Sequence, residues 1–144
     1  MPKSPTDDAL RSFGQPPSLG EIEELARRIF DELPAAFTAP CRNIAIRVAD
    51  FADDDTLREM AIESPFDLAG LYRGAPLTAK GANDFTQHLD MIFLYRRPMI
   101  DWWAEDDVPF EEVVRHLLIH EIGHHFGFSD EDMERIEQAD NEDG

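Results

Sequence analysis

The stretch from Pro109 to His125 constrains this chain most: it reads as one long amphipathic helix with polar groups on the side it must bury. Asp106 and Asp107 precede Pro109, a residue suited to a helix's first turn. At about 100° per residue, Phe110, Val113, Val114, Leu117 and Leu118 gather on one side, with Glu111, Glu112 and Arg115 opposite. His120, Glu121 and His124 fall on or beside the apolar side, where ionisable groups are costly unless something satisfies them. A metal ion would satisfy all three. The plain alternative is two buried histidines bonded to backbone carbonyls, with Glu121 at the rim.

The run His120-Glu121-Ile122-Gly123-His124 sets two imidazoles at i and i+4, one above the other, so both can reach one ion. Glu121 projects beside the same spot and can take a proton from metal-bound water, which makes it the candidate catalytic base. The pattern continues to H-E-x-x-H-x-x-G-x-x-D. Gly127 can adopt the positive φ that turns a chain sharply after a helix, and that turn swings Asp130 back as a third ligand. Three protein ligands leave the fourth position of one zinc ion open, as catalytic zinc requires. With 5 histidines in the chain, the extended pattern should arise in roughly one shuffled chain in ten thousand. Asp130 has a second reading, as the N-cap of a final helix. His125 points about 100° away from His124 and is a candidate for contact with substrate or with a ligand's outer partner. His116, one turn before His120, reads as a surface or outer group, and His88 and Cys41 as structural.

Length and charge bound the rest. With 144 residues, 42% of them hydrophobic, the chain suits one domain with a real core. Thirty-one acidic against 13 basic residues give a net charge of −18, which opposes a phosphate backbone and an anionic membrane alike. One cysteine, Cys41, excludes an internal disulfide framework and a cysteine-based zinc finger. The N-terminus has no apolar h-region, and no run approaches the roughly 18 apolar residues of a membrane span. A cytoplasmic protein, monomeric by default, is expected, with neither nucleic acid nor membrane as partner.

Residues 1–17 read as a flexible tail and 18–144 as a single domain. Ser18 and Glu21 form a capping box ahead of an amphipathic helix over 19–33 that Pro34 ends. Asn43 to Ala49 alternates with period 2, as a half-buried strand does. Asp53 to Asp55 caps a short helix carrying Leu57, Met60 and Ala61. Leu68–Tyr72 and Met91–Arg96 read as strands, the second stopped by Pro98, with a helical segment near 83–88 between them. Trp102 and Trp103 are expected to pack under the following helix. A last short helix, about 130–139, presents Met133 and Ile136. Together these elements make an α+β arrangement of about three strands against about four helices.

His120 to Asp130 resembles the extended signature of the small bacterial zincin-like metallopeptidases, or minimal zincins. Gly70-Leu-Tyr-Arg-Gly-Ala-Pro-Leu-Thr and Ile92-Phe-Leu-Tyr-Arg-Arg-Pro are similar to that family's other two segments. The resemblance spans roughly residues 19–139. It implies a small mixed sheet with the HExxH helix as active-site helix, zinc on His120, His124 and Asp130, Glu121 as base, and a peptide or protein substrate. The chain departs from the larger metzincins: Asp130 replaces their third histidine, no Met-turn follows, and the extra wall of a peptidase cleft is missing. Two rival readings are a weak or inactive zinc-binding module that docks on a protein partner, and another zinc hydrolase of the nuclease-like kind. The net charge opposes the latter's RNA substrate. An extended peptide could add to a strand edge, 68–72 or 91–96.

Overall fold

A computed structural model describes residues 15–41, 43–74 and 90–143. Within them helices α1 (Leu19–Glu32) and α2 (Ala35–Thr38) lead to strand β1 (Ile44–Ala49) and helix α3 (Asp54–Glu59). A 3₁₀ turn (Pro65–Asp67) precedes β2 (Gly70–Gly74); β3 (Asp90–Tyr95), α4 (Arg96–Asp106), α5 (Phe110–His125) and α6 (Asp130–Asp143) follow. The sheet is mixed, in the order β1-β3-β2, with β1 parallel and β2 antiparallel to β3. This is the small α+β fold the sequence implied, with four helices of eleven residues or more.

Each face of the sheet buries its own set of side chains. Ile44, Ile46, Tyr72, Ile92 and Leu94 meet α1 and α5 in the main core, where Ile22, Ala26, Val114, Leu118 and Ile122 are fully buried. Leu71 and Tyr95 point to the other face and join Ala52, Leu57 and Leu68 in a smaller cluster. Period-2 alternation thus supplies both layers, and central β3 is covered on both sides.

The expected elements are present with shifted ends. The capping box of α1 forms as its spacing required, Ser18 Oγ accepting from Glu21 N–H and Glu21 Oε1 from Ser18 N–H. The packed chain also reaches back into the expected tail: Pro17 is buried and its carbonyl accepts from Arg96 Nε at 2.8 Å. Met60 and Ala61 lie beyond α3, and Ala61 takes a positive φ of 58°. β3 ends at Tyr95, before Pro98 as expected, and Pro98 then sits in the first turn of α4, where the missing N–H costs nothing. Trp102 and Trp103 therefore belong to a helix the sequence reading did not foresee. Trp103 still packs edge-on against Phe110, at 5.6 Å between centroids. The last helix is longer than expected, at 14 residues. The segment near 83–88 and His88 lie outside the described residues.

Candidate active site

Helix α5 ends as its sequence dictates. Gly127 has φ +80°, Phe128 N–H donates to Gly123 C=O at 2.8 Å, and Gly127 N–H donates to His124 C=O at 3.3 Å. That is the Schellman closure, and it reverses the chain into α6. Gly123 lets α6 come close: a Cβ there would lie 2.2 Å from Met133 Sδ and 2.7 Å from its Cγ. Met133 is fully buried over this gap.

Ser129, not Asp130, caps α6, its hydroxyl accepting from Asp132 N–H at 3.1 Å. The capping reading of Asp130 is therefore wrong, and its carboxylate has no capping duty. Asp130 Oδ1 lies 4.0 Å from His124 Nε2, with the two side chains 95% and 61% exposed. The wheel expectation fails for His124, because the packing that covers Leu117 and Ile122 does not extend to the last turn of α5.

His120 is held elsewhere. Its Nε2 contacts Glu137 Oε1 at 3.2 Å, while His116 Nδ1 contacts Glu137 Oε2 at 3.1 Å. A carboxylate only accepts, so both rings donate here. The rings of His116 and His120 stack at 3.9 Å between centroids, and those of His120 and His124 stand 5.7 Å apart. Burial, then the neighbouring His116, hold the His120 imidazole below its ordinary range. Among the described residues, His116, His120 and Glu137 are the one group of three whose ligand atoms lie within 4.8 Å of one another. The structure thus pairs His124 with Asp130, and His120 with His116 and Glu137.

Glu121 faces the sheet. Burial pushes its carboxyl up to about 7, although a hydrogen bond from Tyr72 N–H pulls the other way. Tyr95 N–H donates to Ala69 C=O at 2.9 Å, and antiparallel pairing alternates. Leu71 and Arg73 therefore turn their backbone groups toward β3, while those of Gly70, Tyr72 and Gly74 point away, toward Glu121 in the case of Tyr72. No described strand pairs with that side of β2. Glycine at 70 permits the approach, since a Cβ there would meet Glu121 Cγ at 3.3 Å. His125 stacks on Tyr72 at 4.0 Å, and a Cβ on Gly74 would meet its Nε2 at 3.2 Å. Tyr72 Oη donates to Asp90 Oδ2 at 2.6 Å, and Asp90 is only 1% exposed. Burial first, then Asp90, drives the Tyr72 hydroxyl far above its ordinary value. Burial likewise raises the Cys41 thiol, which bonds Tyr72.

Sequence reasoning missed Glu137, Tyr72 and Asp90. The histidine ladder at 116, 120 and 124 was a visible signal for His116; no spacing in the sequence joins Glu137 to it. Arg96 and Arg97 are engaged structurally, Arg96 on Asp50 at 3.1 Å and Arg97 over the Phe51 ring. Strand 91–96 is ruled out as a docking edge, because β3 is central in the described sheet.

No described helix is long and apolar enough to cross a membrane. No curated protein matches the chain. The pattern of one protein family, described as zincin-like metallopeptidase, matches residues 41–139, a span that includes the sheet, the HExxH helix and Glu137. By that match over more than half its length, the chain belongs to the zincin-like metallopeptidase family.

Proposed function

We propose that the chain hydrolyses peptide bonds with one zinc ion held by His120, His124 and Asp130 and with Glu121 as general base. The observation that carries this reading is the placement of Glu121: a half-buried carboxyl, next in sequence to a proposed ligand histidine, under the outer edge of β2. The donor set suits zinc, being two imidazoles and a carboxylate. His124 and Asp130 already face each other, and the 5.7 Å between the rings of His120 and His124 is close to the ~5 Å that two imidazoles on one tetrahedral ion adopt. His120 joins that pair by leaving Glu137.

Zinc when bound supplies Lewis-acid polarisation and lowers the pKa of water at its open position. Glu121 removes the proton from the attacking water and returns it to the leaving amine. A value about 7 in the metal-free protein suits that exchange, and a nearby cation favours the ionised form that acts as base. The substrate is an extended peptide laid along the outer side of β2, where the backbone groups of Gly70 and Gly74 and the carbonyl of Tyr72 point outward. Tyr72 N–H positions Glu121, and the stacked Tyr72–His125 pair borders the same strand.

The test is Glu121→Gln, whose amide oxygen keeps an acceptor for Tyr72 N–H. Zinc content should stay near one per chain while peptide turnover disappears; turnover that persists rejects Glu121 as the base.

A further inference from the structure

The first two histidines of α5, with a carboxylate from α6, offer one more arrangement. His116 Nδ1, His120 Nε2 and Glu137 converge from two helices, and their side chains are 38%, 25% and 23% exposed, far less than His124 and Asp130. Their setting is built. Trp102 packs edge-on against the His116 ring at 5.1 Å, and its indole N–H donates to Asp106. Glu137 stands one helical turn after Met133, which the Gly123 gap locks in place. A cavity of about 200 Å³ opens beside His116 and Glu137, lined also by Trp102, Val108 and Val113, with room for water to complete a coordination shell.

We infer that His116 Nδ1, His120 Nε2 and Glu137 form a second seat for a divalent transition ion, one turn up α5 from the proposed zinc position. Two imidazoles and a carboxylate suit zinc, cobalt or nickel. To share an ion, the His116 and His120 rings splay from their present 25° stacking, and one Glu137 oxygen takes the place between them. Both seats need His120 Nε2, so they exclude each other. The chain holds one ion with two addresses.

The addresses differ in chemistry. Around the helix Glu121 lies about 60° from His124 but about 140° from His116. An ion on the upper seat is turned away from the carboxylate that would activate water. The upper seat is therefore an inactive store that competes with the lower one; this last point rests on the functional reading of Glu121, whereas the existence of the seat does not.

The test uses the full chain and Co²⁺, followed by its d–d absorption, with Zn²⁺ by calorimetry and a thermal melt to verify folding. His124→Ala with Asp130→Asn breaks the lower seat at exposed positions. That double variant should bind close to one Co²⁺, and adding Glu137→Gln, or His116→Ala as an independent second variant, should weaken binding at least tenfold. No Co²⁺ bound by the folded double variant, with one bound by the unmodified chain, overturns the upper seat and leaves the proposed function standing. Tighter Co²⁺ binding by Glu137→Gln alone also overturns it, making Glu137 a lid on His120 and not a ligand. If Glu137→Gln and His116→Ala each abolish all binding, the upper seat is confirmed and the proposed ligand set fails instead.

Discussion

The two flanks of α5 solve the same problem in opposite ways. Toward the sheet, glycines at 70 and 74 let β2 come close, and a single carboxyl, Glu121, is half-buried against the strand. Toward α6, Gly123 admits Met133, and the polar groups beyond it meet one another, Glu137 with two histidines. The carboxyl proposed to exchange protons is thus raised toward neutrality by burial, while the groups proposed to hold an ion are kept together by mutual contact. Small residues make both approaches possible, and chemistry then separates them.

The sharpest way to break this contrast is Glu121→Gln. If the sheet flank alone handles protons, peptide turnover should fall by about 10²–10⁴-fold, the range a general base contributes, with metal content unchanged. A proportional loss of metal would instead show that the two flanks act as one.

The metal-free protein should also show opposite pH dependence on the two sides. Glu121 rises from 4.5 to about 7 on folding, so the folded state holds the extra proton. Its contribution is complete below pH 4.5 and is lost as pH rises through 7, by about 2–3 kcal/mol after allowing for partial solvent access. His120 is shifted down, so the unfolded state holds the extra proton and stability falls as pH drops below 6.5. Chemical denaturation in chelator across pH 4–8 should show the first slope vanish in Glu121→Gln and the second in His120→Gln. Unchanged slopes in both variants would remove the electrostatic distinction.

Smaller effects sharpen the packing side of the comparison. Tyr72→Phe withdraws a hydroxyl from Asp90, a carboxylate with almost no access to water, and should cost about 2 kcal/mol by urea unfolding. Gly123→Ala gains helix propensity but collides with Met133, for a net loss of about 1 kcal/mol. In a double-mutant cycle with Met133→Ala that loss should turn into a gain, because the collision is gone. Simple additivity would show that Met133 does not set the approach of α6.

Local rules made much of this legible. The capping box of α1, the alternation of β1 and β3, the run of α5 and the turn at Gly127 all depend on residues within a few positions of one another, and each formed. Local rules also fell short. Pro98 marks the end of the strand, as expected, but the helix it opens was not foreseen; the second reading of Asp130, as a cap, gave way to Ser129 one position earlier. The environment of His120 was not legible at all. Glu137 reaches it from another helix, whose close approach at Met133 and Gly123 is a tertiary contact that no local spacing announces.

The side of β2 that no described strand pairs has a consequence beyond the reaction. A strand with outward backbone groups can template a neighbour's strand as readily as a peptide, which is the beginning of edge-to-edge aggregation. The net charge of −18 opposes that encounter, since every approaching copy carries the same sign. A short peptide without such charge meets much less repulsion. On the proposed reading, acidity therefore also acts as a filter: it leaves that edge to a small peptide while opposing a second copy of the chain.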